Sequence, residues 1–147
     1  MLGICLGAQM LAQALGGRVS KNKEREIGFH EVRTSATHPA FRRWPASLAV
    51  YQYHEDTFSL PPNATLQASS PACANQAFAA GAKWVGLQFH PESTRAWIEG
   101  NGASIVKADG EKWVQTPAET AAVTGKFLAP MTAHFHDFLD DFLGSIF

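Results

Sequence analysis

Cysteine is scarce in this chain, and the two present, Cys5 and Cys73, lack the spacing of a disulfide framework. A disulfide scaffold is excluded, and a reducing cytosol is the compartment that fits. No apolar run approaches the roughly 18 residues of a membrane span, so no membrane association is expected. The apolar start, Met1 to Leu15, lacks a basic leading region. It also carries Gln9 and Gln13 where a signal peptide would be continuous. Charge of either sign is sparse as well: 12 Lys and Arg stand against 13 Asp and Glu, a net charge of -1. There is no basic stripe, which leaves nucleic-acid binding unsupported. The densest cluster, Lys21 to Glu26, alternates in sign and reads as a solvated loop. No Gly-x-x-x-x-Gly-Lys loop occurs, and there is no internal repeat, low-complexity tract or interdomain linker.

What is present suffices for one ordinary globular core: 147 residues, 46% hydrophobic and 11% aromatic. Periodicity predicts a helix from Ala8 to Leu15 ending at Gly16-Gly17, then strands over Ile27 to Arg33 and Leu48 to Tyr53. Leu60-Pro61-Pro62-Asn63 is a turn. Thr65 to Ser69, Gln76 to Ala80 and Lys83 to Phe89 read as short strands, with Gly81 turning the last hairpin. A helix is expected over Glu92 to Glu99, stopping at Gly100-Asn101-Gly102, and residues 101–115 read as a surface connection. Thr116-Pro117-Ala118-Glu119 is a capping box, and the helix it starts should be interrupted at Gly125 and Pro130. In the last helix, Phe135, Phe138, Leu139, Phe142, Leu143 and Ile146 form one stripe, with Asp137, Asp140 and Asp141 outward.

Two short segments carry chemistry. Gly3-Ile4-Cys5-Leu6-Gly7 is the Gly-x-Cys-x-Gly form of a nucleophile elbow, a turn so tight that flanking glycines avoid a clash. It exposes the sulfur, and the helix that follows aims its amides and dipole at Cys5, favouring thiolate over thiol. The second segment is Gln88-Phe89-His90-Pro91-Glu92. A residue before proline is extended, so His90 and Glu92 can project to one side, imidazole beside carboxylate. Nucleophile, base and orienting group are then all in hand.

Gly3-Ile4-Cys5-Leu6-Gly7-Ala8-Gln9 together with Gln88-Phe89-His90-Pro91-Glu92 resembles the class I, or triad, glutamine amidotransferases. The segments Tyr53-His54-Glu55-Asp56-Thr57-Phe58 and Asn75-Gln76-Ala77-Phe78 resemble the stand-alone, GMP-synthase-like branch. The resemblance runs from residue 1 to about residue 97. It implies a flavodoxin-like α/β fold, a mostly parallel sheet with helices on both faces. It further implies Cys5 as nucleophile, His90 as general base and Glu92 as orienter. The Leu6 amide is then an oxyanion donor, and Gln9, Tyr53 and His54 contact the bound L-glutamine. No cofactor is implied, and the ammonia acceptor or synthase partner would be another chain.

In that family several strands and helices precede the nucleophile strand, including a glycine-containing loop that gives a second oxyanion amide. They do not occur here, so residues 1–147 are expected to form a partial domain lacking its N-terminal portion, one that hydrolyses glutamine poorly. Two rival readings follow. A γ-glutamyl peptide hydrolase would use the same triad on a longer substrate, and a truncated, silent domain would only bind a partner. Elsewhere, His134-x-His136 is too far apart in angle on a helix to chelate a metal, so no metal site is expected. Cys73, in a turn-rich run, is a bystander.

Overall fold

The computed structural model describes residues 1–35 and 37–146, the side chain of Ile146 excepted. The first strand, β1 (Leu2–Ile4), ends at Cys5, from which helix α1 (Leu6–Ala14) departs at once. Two long strands, β2 (Val19–Thr34) and β3 (Ser47–Phe58), flank a short 3₁₀ turn at Pro39–Phe41. Short strands β4 (Thr65–Ser69), β5 (Ala77–Ala80) and β6 (Trp84–Leu87) precede helices α2 (Arg95–Gly102) and α3 (Pro117–Ile146).

The strands join in one sheet, in the order β1-β6-β5-β4-β2-β3. Alternation along β5 separates two cores. Phe78 points to the side of α1, packing with Ala8, Leu11, Ala12 and Phe58. Ala77 and Ala79 point to the side of α2 and α3, where Ile98, Met131, Phe135, Phe138 and Phe142 meet Val85, Leu87 and Phe89. Helices therefore cover both faces, and each large side chain removed from water adds about 1.5–3 kcal/mol.

The sheet is mixed rather than mostly parallel. Only β1 and β6 run parallel, with Gly3 opposite Gly86, and the other described ladders are antiparallel. The connections explain this: Gly81, at φ +60°, turns β5 directly into β6, and short links reverse the chain, whereas parallel neighbours need a long crossover.

Four local expectations are corrected. Lys21 to Glu26 lies within β2 at a register break, not in a solvated loop. Three of its charges have partners or are buried: Lys21 reaches Glu55 and Asp56, Arg25 clamps Glu111 from two nitrogens, and Glu26 is wholly buried. Helix α3 is continuous through Gly125 and Pro130. Pro130 is solvent-facing, and its lost backbone bond, about 3 kcal/mol, is outweighed by the stripe of Met131, Phe135, Phe138 and Phe142 buried along the helix. Asp141 turns inward onto Arg42 and Arg43, which hold its carboxyl down at about 2, while Leu143 is exposed. Finally, the 101–115 connection is not all surface. Val114 bridges Ile27, and both polar atoms of the Gln115 side chain bond the Phe29 backbone at 3.0 and 2.9 Å. Ile146 lies outside the described side chains.

The capping box forms as its pattern requires: the Thr116 amide donates to Glu119 at 2.7 Å and the Glu119 amide to Thr116 Oγ1 at 3.2 Å. Helix α2 starts later than its sequence indicates, at a Thr94 cap rather than at Glu92, and it runs through Gly100.

Candidate active site

Cys5 is built by its backbone. The strand must become a helix within one residue, and Cys5 takes φ 48° and ψ -108°, a conformation a non-glycine residue adopts only under constraint. Its amide is tied to the Leu87 carbonyl at 2.7 Å, which anchors the elbow to β6. The two flanking glycines are not equivalent. A Cβ on Gly3 would lie 2.5 Å from the Gly7 carbonyl oxygen and 2.8 Å from the Ala8 nitrogen, whereas one on Gly7 would meet nothing within 4 Å. Gly3→Ala should therefore force α1 off β1 and cost about 1–3 kcal/mol, whereas Gly7→Ala, in open space on the helix, should cost nothing. Thermal melts of the two variants check this; equal shifts would contradict it.

The first helical amide to find a backbone acceptor is that of Gln9, which donates to the Cys5 carbonyl at 3.1 Å. The amides of Leu6, Gly7 and Ala8 are thus the orphan donors of the first turn, gathered around Cys5. Three groups touch or approach the sulfur. The Cys5 thiol is 3.9 Å from the Tyr53 carbonyl, and the Gln88 side-chain amide donates to the sulfur at 3.7 Å. Gln88 is itself oriented by Gln9, whose amide donates to it at 3.2 Å. The third group is His90.

His90 follows β6, and its amide donates to the Tyr51 carbonyl at 2.8 Å, so the imidazole is carried next to β3. Its Nδ1 lies 2.8 Å from Glu92 Oε1. The late start of α2 allows this contact, because residues 91–93 turn outside the helix and leave the Glu92 side chain free to fold back. Burial alone would lower the His90 pKa. Hydrogen bonding to Cys5 and Glu92 outweighs it and pushes the imidazole up to about 9. The structure thus brings Cys5, His90 and Glu92 together.

The other expected contacts are placed as follows. Gln9 is buried, with its side-chain amide donating to Gln88 at 3.2 Å. Tyr53 stands at the site through its backbone. The His54 side chain is buried: Nδ1 is 2.9 Å from the Asp56 carbonyl, and Nε2 is 3.0 Å from Glu26, poorly aligned for a hydrogen bond. Glu26 is the centre of that cluster, accepting from Gln76 at 2.8 Å and from Ser70 at 3.1 Å. Cys73 is buried beside it, with its sulfur 3.2 Å from Thr57 Oγ1, and burial pushes its thiol up. Among the described residues no group of three or more His, Cys, Asp and Glu side chains could hold a metal, and no helix is long and apolar enough to cross a membrane.

Three residues around the site escape a reading of the sequence. Gln88 was within reach, since alternation in β6 sends it to the α1 face with Cys5. Glu26 was hidden by its neighbours, because a charge cluster reads as solvated. Trp97 gives no signal at all: its indole meets the His90 ring only through the packing of α2.

The sequence model for glutamine amidotransferase class-I matches residues 1–100. Glutamine-hydrolyzing GMP synthase of Thermomicrobium roseum is 45% identical over 95 residues, which cover 63% of this chain and 18% of that protein. A putative glutamine amidotransferase-like protein, YfeJ of Salmonella typhimurium, is 31% identical over 129 residues, 83% of this chain and 54% of the relative. A crystal structure of a glutamine amidotransferase from Thermotoga maritima superposes with a TM-score of 0.81 at 36% identity, over 96% of this chain and 61% of that one. The chain thus spans less than two thirds of the length of each of these relatives.

Proposed function

Because the chain belongs to the class-I glutamine amidotransferase family, we propose that it hydrolyses L-glutamine to glutamate and ammonia at Cys5, His90 and Glu92. One observation carries this reading: His90 Nδ1 lies 2.8 Å from the Glu92 carboxylate, while the imidazole neighbours Cys5 closely enough for that group to help raise its pKa. In the proposed sequence the Cys5 thiolate attacks the carboxamide carbon, and the oxyanion accepts a hydrogen bond from the Leu6 amide. His90 gives its proton to the departing nitrogen as the C–N bond breaks, leaving ammonia and a γ-glutamyl thioester. It then takes a proton from water, whose oxygen adds to the thioester carbon, and breakage of the C–S bond returns Cys5 and releases glutamate. Glu92 keeps Nδ1 protonated so that Nε2 is the nitrogen that exchanges protons. Tyr53 borders the substrate through its carbonyl, with Gln9 behind Gln88 and His54 acting through backbone alone.

The ammonia acceptor is proposed to lie on another chain, a synthase partner of the kind the GMP synthase relatives suggest. Two free cysteines are consistent with a cytosolic setting. A γ-glutamyl peptide substrate is the second reading. A polar recess lined by Lys21, Arg25, Glu55 and Asp56 shares Tyr53 with the site and offers room for the remainder of a peptide. Relative rates on glutamine and a γ-glutamyl dipeptide separate the two.

The direct test of the nucleophile is brief iodoacetamide treatment near neutral pH followed by mass mapping. Cys5 is partly exposed and faces donors, whereas Cys73 is buried and its thiol is pushed up, so alkylation should fall on Cys5. Preferential labelling of Cys73 would remove Cys5 from its role.

A further inference from the structure

We propose that Trp97 is a positioning residue for His90: its indole lies against the imidazole, holding the ring toward Cys5 and favouring its cationic form. The proposal rests on His90 being the base of the reading above, but it is argued from a contact independent of the chemistry. The two ring centroids are 5.1 Å apart with planes inclined by 36°, a tilted contact within the roughly 6 Å of a cation–π interaction, and tryptophan is the strongest aromatic partner for a cation.

Trp97 is fixed from two further sides. Tyr51 and Tyr53 both meet it edge-on with centroids 5.8 Å away, inclined at 86° and 74°. Its own amide donates to the Thr94 cap at 3.3 Å, which sets the first turn of α2. Since the Tyr53 carbonyl accepts from the Cys5 thiol, one indole braces both the base and the strand that carries the sulfur's acceptor. Nothing in the Glu92 contact does this, because Glu92 grips the ring at Nδ1 alone and leaves its faces unsupported.

The titratable groups around His90 are Cys5 from the elbow, Glu92 from its own segment and, beyond Trp97, the phenols of Tyr51 and Tyr53 on β3. Burial pushes the Tyr51 phenol up to about 12, so it stays neutral. On α2 itself Arg95 is paired with Glu99 at 3.5 Å, and His136 of α3 lines the same recess as Arg95 and Glu92. The Glu92 contact at Nδ1 and the indole face both favour the imidazolium.

The test is an NMR titration of the His90 C2 proton, identified by its loss in His90→Gln, in the parent, Trp97→Phe and Trp97→Leu. An indole worth about 0.5–1 kcal/mol of cation stabilisation corresponds to a midpoint lower by about 0.4–0.7 pH unit in Trp97→Leu, with a smaller drop in Trp97→Phe. Since the ring's cation is the form lost on raising pH, the shift must be downward. A midpoint unchanged in Trp97→Leu, or lowered equally in both variants, overturns the proposal. So does slower Cys5 alkylation in Trp97→Leu without any shift, which would mean packing alone. If Trp97→Leu does not fold, Trp97→Phe decides: its midpoint must still fall, and no change refutes the idea. None of these readouts requires glutamine turnover, so failure of the glutaminase reading would be seen separately, in the glutamate-release assay.

Discussion

In a version extended upstream of Met1, Cys5→Ser should lower glutamine hydrolysis by about 10⁶-fold, the scale on which a triad enzyme responds to loss of its nucleophile. The geometry explains why so small a change is so costly. The elbow, the first-turn amides and the Gln88 donor are all arranged around a sulfur, a group that attacks as a pre-formed thiolate. A serine hydroxyl in the same place stays protonated until the moment of attack and is a far weaker nucleophile in a site shaped for sulfur. Glu92→Ala should cost less, at most about 10⁴-fold, because it removes an orienting group rather than a reacting one. His90 would keep its backbone bond to Tyr51 and its contact with Trp97. Glutamate release, measured alongside far-UV circular dichroism to show that each variant folds, checks both values. Undiminished turnover in Cys5→Ser would end the mechanism; equal and complete losses would make Glu92 more than an orienter.

Glu26→Ala should be the most destabilising single substitution outside the hydrophobic cores, by about 3–5 kcal/mol. The carboxylate is wholly buried and is the shared acceptor of Gln76 and Ser70, with His54 also against it. Removing it strands the Gln76 amide, buried away from water, and takes an acceptor from Ser70. For a chain of this size the loss corresponds to a melting temperature lower by roughly 6–20 °C. Glu26→Gln, which retains one acceptor oxygen and the shape, should lose distinctly less. A melting temperature within a degree or two of the parent for Glu26→Ala would show that the cluster is not held through its carboxylate.

The elements that could be read from sequence are those whose signal is local. The elbow, the Gly81 turn, strand β4 at Thr65–Ser69 and the Thr116 capping box each depend on residues within four positions of one another, and each lies where its pattern puts it. The misread elements depend on partners distant in sequence. Pro130 does not break α3 because the sheet holds the opposite side of that helix. Glu26 is not solvated because Gln76 and Ser70 come to meet it, and Asp141 is not outward because Arg42 and Arg43 reach it from the 3₁₀ turn. The same division runs through the site. Cys5, His90 and Glu92 sit in short recognisable motifs and Gln88 could have been read from strand alternation, while Trp97 meets His90 only by contact, and only the fold reveals it.

The parallel pairing of β1 with β6 bears on how the site comes into being. Gln88 and Cys5 are 83 residues apart, whereas β5 and β6 are joined by a tight turn. Loop-closure entropy grows by about 0.6 kcal/mol for each doubling of the enclosed length, so bringing β1 home is the most demanding closure in this sheet, some 3 kcal/mol beyond that of a tight hairpin. The antiparallel strands can zip by local steps, but nucleophile and base meet only when that closure is made, which makes their encounter a late event in folding.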